Sequence, residues 1–242
     1  MSRLPIPAPA NTVELTETDL WVGLPGERAV ERRPLLGSDA DSVTIELDSI
    51  PSAIAGDLEG AWVLVESGAE RVDAGSGEVT DDLSAGGFAT ALAVDGDAIW
   101  IVADDREVRR FDASTLEPAD EIAEVPDASA IALGEGYAWV LSSTGALTRL
   151  DPESLRRVGE PVRVPGALDL AIAEGYVWVS AADGTVRRVD PASATVVGKP
   201  IAVGKDPIEV AAPDLEFPVA SDVSAGVWVA NAGDGSVTRI TP

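Results

Sequence analysis

The sequence predicts an all-β fold, a six-bladed β-propeller with four antiparallel strands per blade. Three observations predict it. All six tryptophans, Trp21, Trp62, Trp100, Trp139, Trp178 and Trp228, recur at spacings of 41, 38, 39, 39 and 50 residues, each followed by Val or Ile. Between them lie short β-branched segments punctuated by Gly, Asp and Pro, the signature of strands and tight turns. Helical apolar spacing is not sustained anywhere along the chain. A period near 39 residues is that of a propeller blade, and six copies imply six blades.

Each copy has four parts. The first is a small apolar segment about seven residues before Trp: Val13–Leu15, Ala53–Ile54, Leu92–Val94, Ile131–Leu133 and Leu170–Ile172. Its alternating alanines (Ala91 and Ala93, Ala130 and Ala132, Ala171 and Ala173) suit the crowded strand nearest the axis. The second part carries Trp, whose large ring is expected to wedge between neighbouring blades. The third ends in Arg-x-Asp, giving Arg71, Arg110, Arg149 and Arg188, with Arg239 in a last copy that reads Arg-Ile-Thr. An arginine repeated in this way is expected to be scaffolding, stacked on an aromatic ring or paired with a carboxylate. Tyr137 and Tyr176, each two residues before a Trp, are expected to be structural as well. The fourth part is the segment Gly159-Glu160-Pro161-Val162-Arg163-Val164, echoed from Gly198 to Val203. Asp183-Gly184 and Asp234-Gly235 mark the hairpin between the second and third parts.

These units divide one domain, residues 1–242, into blades at about 11–48, 51–86, 89–126, 129–165, 168–204 and 207–242. The last copy lacks a fourth strand. Pro5-Ile6 stands before Val13 as Pro200-Ile201 stands before Ile208, so residues 1–9 are expected to complete blade six and close the ring. Proline is acceptable there because an edge strand need not donate outward. Deleting residues 1–10 should then lower the melting temperature. The last copy also carries an insertion within 212–222, where Leu215 and Phe217 either fold over the channel mouth or anchor a partner. Blade one is irregular too, with Arg28, Arg32 and Arg33 expected to pair at the surface with the abundant acids.

Composition narrows function. The chain has 42 acidic and 17 basic residues, a net charge of −25, and only two lysines, Lys199 and Lys205. Nucleic acid and anionic membranes would be repelled, since binding them needs Lys and Arg facing phosphate. Cys and His are both absent. Disulfides, thiolate metal sites and Ser-His-Asp or Cys-His catalysis are therefore excluded. No apolar run is long enough to span a membrane, so direct insertion is not expected. No phosphate loop, dinucleotide fingerprint or twelve-residue calcium loop is present. One metal possibility is open. Asp104, Asp105, Asp183 and Asp234, with Asp48, Asp127 and Asp206, fall in connections that a propeller gathers on one face, where a few could hold Ca²⁺ through oxygen ligands. Asp is equally a favoured turn residue.

The motifs Gly-x-x-Trp-Val, Asp-Gly-x-Val-x-Arg-Val-Asp-Pro and Gly-Lys-Pro-Ile-x-Val-Gly resemble the bacterial propeller repeats of the YVTN, NHL and virginiamycin B lyase-like group, most clearly over residues 89–211. The resemblance implies a binding or sensor domain, as in the extracytoplasmic part of membrane Ser/Thr kinases. The catalytic His of the lyase members has no counterpart here, so that activity does not transfer. The expected function is non-enzymatic recognition of a protein, peptide or glycan by a monomeric domain of a larger protein, without a cofactor. The rival is a lyase or lactonase-like hydrolase with a carboxylate-held cation. The opening residues lack the apolar core of a signal peptide, so the expectation is an extracytoplasmic part of an anchored protein, or else a cytoplasmic one.

Overall fold

The computed structural model describes residues 10–16, 18–35, 41–57, 59–211 and 226–241. Blade one comprises β1 (Thr12–Leu15), β2 (Asp19–Leu24), β3 (Ala29–Pro34) and β4 (Val43–Glu46); blade two, β5 (Ala53–Gly56), β6 (Gly60–Val65), β7 (Gly68–Asp73) and β8 (Val79–Ser84). Blade three comprises β9 (Ala89–Asp95), β10 (Ala98–Ala103), β11 (Glu107–Asp112) and β12 (Ala123–Glu124); blade four, β13 (Ala128–Gly134), β14 (Tyr137–Ser142), β15 (Ala146–Leu150) and β16 (Val162–Arg163). Blade five comprises β17 (Ala167–Ala173), β18 (Tyr176–Ala181), β19 (Thr185–Asp190) and β20 (Thr195–Ala202). Blade six shows β21 (Pro207–Ala211), β22 (Val227–Asn231) and β23 (Ser236–Ile240). Every sheet is an antiparallel meander in sequence order, and the inner strands touch in succession around the axis, β1 with β5, β5 with β9, β9 with β13, β13 with β17 and β17 with β21. The fold is a six-bladed β-propeller. No α-helix occurs among the described residues. The closing strand expected from residues 1–9 lies outside the described residues, as do Leu215 and Phe217.

The tryptophans hold the blades to one another. Trp21, Trp62, Trp100, Trp139 and Trp178 are at most 3% exposed, whereas Trp228 is only partly buried. Each buried ring faces the following blade. Trp139 packs with Leu170, Val177 and Val179 of blade five, and Trp178 with Val210, Val227 and Val229 of blade six.

Directly across the sheet from every Trp stands an Arg: Trp21 pairs with Arg32, Trp62 with Arg71, Trp100 with Arg110, Trp139 with Arg149, Trp178 with Arg188 and Trp228 with Arg239. The guanidinium lies over the indole in four blades, at 5.3–5.8 Å from the ring centre. In blades four and five the tyrosine adds a second ring, 4.8 Å from Arg149 and 5.3 Å from Arg188. Two of these arginines also reach the next blade. Arg149 donates to the Pro191 carbonyl at 2.6 Å, and Arg32 donates to the Ala74 carbonyl, each just after the third strand of the following blade. Arg32 is thus blade one's member of the repeated set, and the expectation that it pairs at the surface is corrected. It binds Asp19 at 2.7 Å and Arg33 binds Glu31 at 2.8 Å, with both acids nearly buried.

One local expectation also changes. The fourth strand shrinks to two residues in blades three and four, and the rest of its pairing is reduced to the isolated bridges Phe111–Pro118 and Leu150–Arg157. In blade five β20 runs for eight residues and takes up Pro200 at a register shift. Asp183-Gly184 belongs to a three-residue turn and Asp234-Gly235 to a four-residue one. Glu135-Gly136 and Glu174-Gly175, joining first and second strands, are two-residue hairpins with both residues at positive φ as a type I′ turn requires.

Candidate functional site

The β-meander fixes which residues meet at each end of the channel. Turns between second and third strands, and connections from one blade's last strand to the next blade's first, share one face. The inner strands β9, β13, β17 and β21 enter from this face through a bulge. The bulged residues Thr90 and Ser129, and Ser52 at the equivalent place just before β5, turn their hydroxyls onto the second strand's carbonyls of Val102, Leu141 and Leu64. In blades five and six the equivalent residues are Leu168 and Ile208, which have no hydroxyl to bury and stand exposed at the channel mouth. Ile50 and Phe88, two residues before Ser52 and Thr90, are exposed on the same face.

Phe88 is held by its backbone. Its N–H donates to Asp104 Oδ1 at 3.0 Å, and its carbonyl accepts from the Asp104 N–H at 2.8 Å. Gly86 and Gly87 lead into it. Gly87 leaves room for the Asp104 carboxylate, and Gly86, at φ +72°, leaves room for Arg109. An aromatic ring is thus presented to solvent on a fixed main chain.

The acids proposed as metal candidates have other local roles. Asp104 and Asp105 are the central residues of the blade-three turn, both at positive φ, which Asp tolerates better than most residues. Asp183 binds Arg187 at 2.5 Å and accepts from the Thr185 hydroxyl at 2.6 Å; these contacts hold its carboxyl below the usual range. Asp234 accepts from the Ser236 hydroxyl at 2.6 Å and from the Lys205 N–H at 3.0 Å, which lower it likewise. Asp183, Asp206 and Asp234 border one cleft of about 380 Å³ with Lys205, between blades five and six. Asp104 and Asp105 lie on blade three, away from that cleft. Among the described residues no group of three or more metal-ligating side chains converges.

Sequence reasoning missed one pair. Asp169 and Glu209 occupy the same position on the inner strands of blades five and six, where blades two, three and four have Ala53, Ala91 and Ala130. Burial pushes the Asp169 carboxyl up to about 6, helped by the charge of Glu209 and opposed by the Val210 N–H that donates to it at 2.8 Å. Burial raises Glu209 as well. The available signal was two acids breaking a column of alanines.

No protein-family profile matches the chain, and no curated protein is similar to it in sequence. Solved structures share the fold. The chain is similar to the computationally designed Ika8 protein (TM-score 0.70, 15% identity, 96% of this chain and 71% of that one). It is similar to a chain of the mitotic checkpoint complex (TM-score 0.74, 14% identity, 95% and 75%). It is also similar to the Pan2 WD40 domain of Neurospora crassa (TM-score 0.70, 13% identity, 97% and 80%). At these identities the likeness is one of architecture.

Proposed function

We propose that this chain is a recognition propeller that binds a protein or peptide and performs no catalysis. The observation that carries the reading is the presence of exposed apolar side chains, Phe88 foremost, on the face where inner strands begin, in a chain whose other large rings are mostly spent on wedging blades together. Fixed aromatic side chains on a rigid scaffold are what interfaces use as anchors. That one solved structure of this architecture comes from the mitotic checkpoint complex agrees with a role in assembly. The likeness of the repeats to the YVTN, NHL and virginiamycin B lyase-like group supports a finer proposal, that the domain is the extracytoplasmic sensing part of a larger bacterial protein; the complete reading frame would test that part.

The test of the reading is a selection of displayed random peptides on the folded chain, run beside equilibrium dialysis against Ca²⁺, Mg²⁺ and Mn²⁺ and an aryl-lactone hydrolysis assay. Saturable peptide binding with no turnover is the expected result. A stoichiometric ion together with lactone hydrolysis would replace it with the hydrolase.

A further inference from the structure

Four large apolar side chains stand around one mouth of the channel: Ile50 is 52% exposed, Phe88 55%, Leu168 42% and Ile208 57%. They come from four different blade entrances, so no single loop accounts for them. Around them the described connections of this face carry nine acids (Glu27, Asp48, Glu66, Asp104, Asp105, Asp127, Asp183, Asp206 and Asp234) against three bases, Arg28, Arg106 and Lys205. Arg106 already lies 3.3 Å from Glu124. The mouth is therefore apolar at its centre and anionic around it. Water covers such a centre at a cost that a partner relieves, while the surrounding charge selects the sign of that partner.

Resting on the recognition reading above, we propose that this face receives a protein segment with an apolar tip flanked by lysine or arginine. The tip sits among Phe88, Ile50, Leu168 and Ile208, and the flanking cations reach the outer carboxylates. Phe88 is the principal anchor, because Asp104 fixes its main chain from both sides and binding then orders only the ring. The cleft of Asp183, Asp206 and Asp234 is the place for one cation. Thr185 and Ser236 hold the Asp183 and Asp234 carboxylates in place, and the three carboxylates outnumber the two cations already beside them, Arg187 on Asp183 and Lys205 in the lining.

The test uses peptides enriched in the display selection, synthesised with a fluorophore and titrated by anisotropy against the full chain. The expected peptides carry Lys or Arg on both sides of an apolar residue, and their binding weakens as salt rises. Phe88→Ala should weaken binding by about tenfold or more. Asp183→Asn should weaken it less and flatten the salt dependence. Val196→Ala, on the exposed outer strand β20, should leave affinity unchanged. Each variant's melting curve is recorded, so loss of binding in a folded variant reads the surface itself. Peptides that bind Phe88→Ala and Ile208→Ala as tightly as the native chain would overturn the assignment of this face while leaving a binding module in place. Enrichment of acidic or uncharged peptides would overturn the partner's chemistry. A neutral oligosaccharide bound in an array, and lost in Phe88→Ala, would give the face to a different class of partner and overturn the proposal. No enrichment at all would remove the recognition reading and this inference with it.

Discussion

Replacing Arg149 by Met tests the repeated arginine as a clamp between blades. Methionine keeps most of the apolar stem and removes the guanidinium. That group lies 4.8 Å from the Tyr137 ring and 5.7 Å from the Trp139 ring, and donates to the buried Pro191 carbonyl at 2.6 Å. A charged hydrogen bond contributes about 1.5–3 kcal/mol, and a partly desolvated cation over an aromatic face about 1–2 kcal/mol. One term runs the other way. Arg149 Nε is buried without a hydrogen-bond partner, a desolvation cost of about 1–2 kcal/mol that the substitution relieves. The expected net loss is about 0.5–4 kcal/mol with its centre at about 2 kcal/mol, which at roughly 2–4 °C per kcal/mol for a domain of this size lowers the melting point by about 4–8 °C at that centre. The assay is guanidinium unfolding followed by both circular dichroism and tryptophan emission, since a repeat protein need not unfold in one step. Arg163→Met, on an exposed outer-strand arginine, is the control and should change stability by less than about 0.5 kcal/mol. If Arg149→Met matches that control, or if Arg149→Met and Tyr137→Leu prove additive to within about 0.5 kcal/mol, the stacked clamp contributes nothing and the reasoning fails.

Trp139→Ala should cost about 3–5 kcal/mol, because a fully buried ring leaves a cavity between blades four and five, and the partly exposed Trp228 should cost less; equal losses in unfolding titrations would contradict the packing argument. Asp169 should make the native chain less stable as pH rises from about 4 to 6, since its folded pKa lies above its unfolded one; the native state then holds the extra proton, and its stabilisation is lost as that proton leaves. Asp169→Asn should remove this slope, worth on the order of 3 kcal/mol, and a variant whose pH-stability curve parallels the native one would refute it. With a net charge of −25, the melting temperature should rise between low salt and about 0.5 M salt as self-repulsion is screened, whereas a flat curve would mean that the charges are already balanced locally.

The blades were legible because a propeller writes its packing once per repeat. Trp at a period near 39 residues needs only one reading to locate six interfaces, and Arg-x-Asp after it locates the third strand. Legibility failed where chemistry was conserved but spelling was not. Arg32 faces Trp21 as Arg188 faces Trp178, yet it is followed by Arg33-Pro34 in place of x-Asp, so the motif hid it among surface charges. The Asp of the motif has its own reason, which only coordinates supply. Asp112, Asp151 and Asp190 each bind the N–H and hydroxyl of a serine two or three residues on, closing the turn to the fourth strand, and these bonds lower all three carboxyls. The candidate face was the least legible part. Phe88 is matched at the equivalent position by Ile50 in blade two but by Asp127, Gly166 and Asp206 in blades four to six, and its main chain is set by a contact with Asp104 sixteen residues away in the chain.

That difference also says where to look for function in such a ring. A residue present in every blade at one register position faces the same neighbours six times, and its role is to hold those neighbours. A ligand at the channel mouth breaks the ring's pseudo-symmetry, so the residues that recognise it are departures from the repeat. Phe88 among Gly and Asp connections, Leu168 and Ile208 where other blades keep a hydroxyl, and Asp169 and Glu209 in a column of alanines are such departures, and they gather at one end of the inner strands. The repeated arginines are scaffolding, as expected: Arg71, Arg149, Arg188 and Arg239 lie over rings and Arg32 and Arg149 reach carbonyls of the next blade, while the surface left for a partner is apolar and acidic. Substituting the exposed departures Phe88, Leu168 or Ile208 should therefore change binding at little cost to the melt, and substituting a repeat member the reverse.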